Sequence, residues 1–213
     1  MKKLLIIVLL SIFAVNIFAG HKRFDGYIIN MQNERIEGQI KIKGLIAAQV
    51  KVTFIEKGKR SVYKPMDILG YGYQYFGKNE FGNNAYNWKH YKCKKAISSA
   101  PSMFISKTVF MEVIEAGNVT VYDYYAEKRN DIENPYNRYC YLEREGSDEW
   151  TEVTEENYIS VASVFFKDNT ELVAKIGMVN HHFRHLWKVV RLHNDWIEKQ
   201  DGTMGIYTES KPF

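Results

Sequence analysis

The sequence predicts an α+β fold: a mainly antiparallel β meander, as a curved sheet or half-barrel, packed by C-terminal α-helices. Apolar and polar residues alternate with period two through most of residues 26–153, and the period turns helical after Thr154. No segment of ~20–50 residues recurs, which excludes solenoids and propellers.

From Gly26, the alternation Tyr27, Ile29, Met31 passes through a Gln32-Asn33 turn into Ile36, Gly38, Ile40 and Ile42, a hairpin. Val50, Val52 and Phe54 lead through Lys57-Gly58-Lys59 to Val62 and Tyr63, a second hairpin. Pro65 stops it, because proline donates no ladder hydrogen bond. Tyr71, Tyr73 and Tyr75 alternate next, and the Gly- and Asn-rich stretch 77–87 reads as a loop. Trp88 to Ala96 is a basic-aromatic strand, broken before Pro101. Thr108–Glu115 and Val119–Tyr125 form the clearest hairpin, around Ala116-Gly117-Asn118. After a charged loop at 127–137, Arg138–Arg144 and Trp150–Val153 form the last hairpin.

Thr154 is then the expected N-cap of a helix carrying Tyr158, Ile159, Ala162, Phe165 and Phe166. Asp168 or Asn169 restarts a shorter helix with Leu172, Val173 and Ile176, which Gly177 ends. The final helix has Phe183, Leu186, Trp187, Val190 and Ile197 on one stripe, expected to seal the oily side of the sheet. One domain is expected over 20–213: a β part at 20–153, a helical part at 154–199 and a loosely held tail at 200–213.

Residues 1–19 read as a cleavable secretory signal peptide. Lys2 and Lys3 give the charged start, Leu4–Val15 the apolar stretch, and Ala19 the small residue before the cut. That stretch is shorter than the ~20 residues a membrane helix needs. Export to the periplasm, the outer-membrane surface or the medium is therefore expected, with no transmembrane helix in the remaining chain. The formal charge of +4 loses the two signal lysines and falls to about +2, too balanced to indicate nucleic acid as a partner. An oxidising compartment permits a disulfide between Cys93 and Cys140, both in strands; two unpaired buried thiols are the other reading.

Signatures of chemistry are weak. His181 and His185 are four apart on the expected helix and would share a face, but no HExxH spacing or nearby carboxylate completes a metal site. Glu112, Glu115, Asp123, Glu143 and Glu145 lie in or beside strands, where acid–base work would need two of them fixed across a cleft. There is no GxSxG elbow, and GYGYQYFG lacks the Lys and Ser/Thr of a phosphate loop. No catalytic, metal or cofactor residue is assigned. The surface candidate is the strand face Trp88, His90, Lys92, Lys94, suited to an anionic lipid headgroup, an acidic glycan or single-stranded nucleic acid. The same run also reads as an edge strand whose lysines block edge-to-edge pairing.

The segments GYIINMQNERIEGQI, KRSVYKPMDILGYGY, VIEAGNVTVYDYY and RYCYLEREG resemble a pattern in secreted proteins of Bacteroidota-type bacteria. The resemblance spans about 25–197, consists of turns and strands, and implies an envelope location without an assigned activity. The expected function is an exported, non-enzymatic module that binds an envelope protein, glycan or lipid. The alternatives are a carrier of a small lipid or hydrophobic ligand and a hydrolase of an envelope polymer.

The cleavage site is directly testable. Intact mass of the protein recovered from the envelope or medium should start at Gly20; a mass that includes Met1 would contradict the export reading.

Overall fold

The computed structural model describes residues 22–79, 81–95, 108–128, 131–133, 135–147, 150–200 and 202. The signal segment, the Pro101 break and the tail beyond 202 lie outside the described residues. Ten antiparallel strands form one open, uncurled sheet: β1 (Arg23–Ile29), β2 (Arg35–Lys41), β3 (Val52–Glu56), β4 (Lys59–Tyr63), β5 (Gly70–Lys78), β6 (Asn84–Lys95), β7 (Thr108–Glu115), β8 (Val119–Glu127), β9 (Tyr136–Arg144) and β10 (Trp150–Val153). The helices are α1 (Leu45–Val50), α2 (Tyr158–Phe165), α3 (Thr170–Val173) and α4 (Leu186–Gln200), with a 3-10 turn at Phe183–His185.

The spatial order is β10-β9-β8-β7-β6-β5-β1-β2-β3-β4. The α+β class and the dominant antiparallel sheet agree with the alternation read from the sequence. The sheet stays open and uncurled, with β10 and β4 as its two ends, so neither expected form, a curved sheet or a half-barrel, is adopted. It is two meanders joined side by side, because β5 returns past β4 to pair with β1, Ile28 opposite Tyr71. Glycine makes that pairing possible. A Cβ on Gly26 would meet the Gly72 carbonyl oxygen at 2.3 Å, and one on Gly72 would meet the Tyr27 ring at 2.8 Å.

All the helices lie on one face. There, Ile28, Ile40, Phe54, Tyr71, Tyr91 and Phe110 form one core cluster with Ala48 of α1. Val121, Leu142 and Val153 form another with Ala162, Phe166, Leu186 and Val190. Tyr71 and Tyr91 stack with ring centroids 4.7 Å apart, and the Tyr71 hydroxyl donates to the Ala48 carbonyl at 2.8 Å. The opposite face has its own aromatic cluster of Met111, Tyr122, Tyr124, Tyr141 and Trp150.

Several local features depart from the sequence reading. Residues 45–50 form α1, where no helix was expected. Thr154 does not cap α2 directly. It exchanges hydrogen bonds with Asn157, whose Oδ1 accepts from the Thr154 N–H at 2.7 Å, and Asn157 takes the cap position. Asn169 caps α3 as expected, accepting from the Leu172 N–H at 3.1 Å. Gly177 turns the chain at φ 85°, a conformation glycine adopts without a Cβ penalty.

The stripe of α4 is rotated from the expected one. Its buried residues are Leu186, Val189, Val190, His193 and Asn194, while Trp187 is half-buried with the Arg191 guanidinium 5.0 Å from its ring. The stripe turned because α4 docks through a polar residue. Asn194 accepts from the Val119 N–H and donates to the Val119 carbonyl, both at 2.9 Å. Gln49 of α1 does the same to Tyr125, accepting from its N–H and donating to its carbonyl, both at 2.7 Å.

Both clamped residues belong to β8. The β7 register covers only Val121–Asp123 of that strand, so Val119 and Tyr125 fall beyond its strand partner. The two amides supply the hydrogen bonds that a buried backbone requires. Replacing either amide by a carboxylate puts an acceptor against a carbonyl. Asn194→Asp and Gln49→Glu should each lower unfolding free energy by about 1–3 kcal/mol in denaturant titration. Gly117→Ala should also destabilise, because its Cβ would meet Asn194 Nδ2 at 2.5 Å. Unchanged midpoints would contradict the clamp.

Candidate functional site

β6 is the longest strand, and its neighbours cover only part of it. β5 runs alongside from Lys78 opposite Asn84 to Gly70 opposite Lys92. β7 pairs only with His90–Lys95, and β1 pairs only with Gly70–Tyr73 of β5. Among the described residues, 74–79 and 81–89 therefore run on as a two-stranded arm with no further strand paired to its outer edges. The Gly- and Asn-rich composition that suggested a loop over 77–87 belongs mostly to this hairpin; only its tip turns.

Asn79 builds the tip. Its Oδ1 accepts from the N–H groups of Phe81 at 3.0 Å and Asn83 at 2.9 Å. Its own N–H donates to the Asn83 carbonyl at 2.8 Å. Across the arm Phe76 and Tyr86 meet edge to face, ring centroids 5.3 Å apart. These rings are still open to solvent: Phe76 is 64% exposed, Phe81 78%, Tyr86 70% and Trp88 37%. Phe76, Tyr86 and Trp88 share one face, since Phe76 is opposite Tyr86 and Gln74 opposite Trp88. Amides accompany them at Gln74, Asn83, Asn84 and Asn87. Asn87 donates through Nδ2 to the Gly77 and Ala85 carbonyls.

Trp88, His90, Lys92 and Lys94 share a face as the alternation indicated, but they do not form one surface. Trp88 lies at the root of the arm, and the other three are half-buried within the sheet. β6 is paired on both sides at His90–Lys92, so it is not an edge strand over that stretch, and of its lysines only Lys92 lies there. The Lys94 ammonium pairs with the Glu143 carboxylate, whose other oxygen accepts from the Tyr122 hydroxyl at 2.5 Å. Burial holds the Lys92 ammonium below its ordinary pKa, and the Lys94 charge lowers it further. The Tyr27 hydroxyl lies 2.6 Å from Nδ1 of His90, whose ring stacks on Trp88 with centroids 5.8 Å apart. The Arg35 guanidinium sits 3.8 Å over the Tyr27 ring.

The carboxylates come closer together than the sequence revealed. Glu112 and Asp123 are direct cross-strand partners on the helix-bearing face. Each already holds a cation. Lys89 Nζ is 2.5 Å from Glu112, and Arg138 Nε is 2.7 Å from Asp123. The Tyr125 hydroxyl donates to Asp123 at 3.0 Å, and the Cys140 thiol donates to it at 3.2 Å. At 7% and 1% exposure, these carboxylates form a satisfied internal network that joins β6 to β9. Glu115 is bound by Arg191 at 2.9 Å, and Glu145 stands exposed in the last turn.

The disulfide expectation fails. Cys93 and Cys140 are free thiols on β6 and β9, with β7 and β8 between them. Three strand spacings separate the two strands by ~14 Å, twice what a disulfide spans. The metal reading also loses its basis. His181 precedes the 3-10 turn and His185 ends it, so they do not share a helix face. Among the described residues no cluster of three or more His, Cys, Asp or Glu is placed to hold a metal. None of the described helices is long and apolar enough to cross a membrane.

Two signals for the site were present in the sequence. Aromatic residues are interspersed with asparagine over 76–88, and the net charge there is low. The overhang itself depends on where β1 and β7 stop, which local pattern does not encode. No protein-family model, curated protein or solved structure matches the chain.

Burial and the Arg35 charge push the His90 imidazole down to about 4, and burial pushes His193, its ring tilted 4.9 Å from that of Phe166, down to about 4 as well. Unfolded histidine titrates near ~6.5, so between pH 6.5 and 4 the unfolded chain binds more protons. Stability from both groups is complete above that window and is lost as pH falls through it. The steepest loss is about 1.4 kcal/mol per pH unit per histidine. NMR titration of the ring protons should place both midpoints well below 6; midpoints near 6.5 would contradict the burial argument.

Proposed function

We propose that the chain is an exported protein of the bacterial cell envelope that works by binding rather than catalysis, with the β5–β6 arm gripping an uncharged stretch of an envelope glycan. The observation that carries this reading is the arm's surface. Phe76, Phe81, Tyr86 and Trp88 are exposed on a hairpin that leaves the sheet, beside the amides of Gln74, Asn83 and Asn84. A group of exposed rings marks a contact site, and aromatic truncations dominate binding losses. Flat apolar rings suit the C–H faces of sugars, and amides both donate and accept to hydroxyls. The signal-like segment 1–19 and the resemblance to secreted Bacteroidota-type proteins support the location.

The other readings have less support. A hydrolase needs carboxylates free to exchange protons, whereas Glu112 and Asp123 are each neutralised by a cation. A lipid carrier needs an apolar chamber, whereas the helix-bearing face is occupied by the side chains of its two core clusters.

Co-sedimentation with peptidoglycan sacculi and with purified outer-membrane polysaccharide tests the reading. The protein should pellet saturably with at least one of them. Phe76→Ser with Tyr86→Ser should weaken that binding at least tenfold, about 1.4 kcal/mol or more, without moving the thermal midpoint. Absence of pelleting with either polymer, or equal pelleting of the variant, would overturn it.

A further inference from the structure

A second feature, far from the arm, lies where β2, α1, β3 and β4 meet. A cavity of about 60 Å³ opens there, and its lining includes Ala48 and Thr53 together with Lys41, Lys43, Lys51 and Arg60. The fold brings these four cations together from separate elements. Lys41 ends β2, Lys43 lies in the link to α1, Lys51 follows α1, and Arg60 belongs to β4. The register fixes the wall: Lys41 is opposite Thr53, and Thr53 opposite Val62, two residues along the same strand face from Arg60.

No carboxylate lines the cavity, and among the described residues none of the four cations is in an ion pair. Five cations of the sheet and of α4 are matched instead: Arg35 with Glu37, Lys89 with Glu112, Lys94 with Glu143, Arg138 with Asp123, and Arg191 with Glu115. Four like charges around one hollow repel one another, and a bound anion would offset that repulsion. The volume is several times the ~10–15 Å³ needed to hold one water molecule, enough for a group of a few heavy atoms. A guanidinium and three ammonium groups can bind the oxygens of a tetrahedral anion from several sides.

We propose that this cavity is a binding site for a tetrahedral oxyanion, a phosphate or sulfate group. It is independent of the arm and of the glycan reading. Free phosphate, a phospholipid headgroup and a sulfated glycan all present this chemistry, so the test needs an arm for each.

The protein, labelled with 15N, is titrated at low ionic strength with inorganic phosphate, with heparin, and with phosphatidylglycerol vesicles beside phosphatidylcholine controls. At least one probe should bind saturably, with amide shifts or broadening concentrated at 41–62, and binding should weaken as salt is added. Lys51→Ala with Arg60→Ala, both exposed positions, should weaken it at least tenfold while leaving the rest of the spectrum in place. Phe76→Ser should leave it unchanged, which separates this site from the arm. The probe that binds most tightly identifies the source. Saturation by none of the probes, or equal binding by the double variant, would overturn the proposal.

Discussion

The body of this protein depends on how β8 satisfies its backbone. Central strands normally pair on both sides, but β7 accompanies only the middle of β8. Val119 and Tyr125, at either end, would otherwise leave an N–H and a carbonyl unmet, each orphaned group costing about 1–3 kcal/mol. Asn194 and Gln49 fill the two gaps with side-chain amides, which carry the same donor and acceptor pair as a strand. One clamp seats α4 on the β7–β8 hairpin; the other seats α1 across β8. The helices that cover the apolar face are thereby fixed in position as well as in depth.

The clamps also explain what sequence pattern could and could not reveal. Period-two alternation marks the hairpins reliably because each strand has one face on a core. The Ala116-Gly117-Asn118 turn, the Asn169 cap and the Gly177 stop are local devices with local signatures. Nothing local marks Asn194 or His193 as buried, since both look like the polar side of an amphipathic helix. Their burial is decided by Val119 and Phe166, 75 and 27 residues away in sequence (194 − 119 and 193 − 166). The return of β5 to β1 is likewise a long-range choice, permitted by close glycine contacts rather than by any period.

The candidate site shows the same division. Its chemistry could be read in the chain, where aromatic residues are interspersed with asparagine. Its position could not, because it arises from a mismatch in strand length. β6 has twelve residues, and β7 meets only the six from His90 to Lys95. The basic half of that strand, which looked like the accessible part, is drawn inside the sheet. Lys94 neutralises Glu143 there, and His90 is packed between Trp88 and Tyr27. The exposed part is the end that composition had marked as loop. The acidic residues that suggested catalysis, Glu112 and Asp123, instead tie four strands together through Lys89, Arg138 and Cys140.

A body held by two amide clamps and an arm that stands clear of it should be separable. Residues 76–86 can be exchanged for an Asn-Gly turn, which joins Tyr75, packed on the core, directly to Asn87 opposite it. Cooperative unfolding of this shortened chain, followed beside its retention on immobilised envelope glycan, tests the account most directly. The account predicts a thermal midpoint within a few degrees of the parent and retention reduced to background. A chain that no longer folds, or one that is retained as well as the parent, would contradict it.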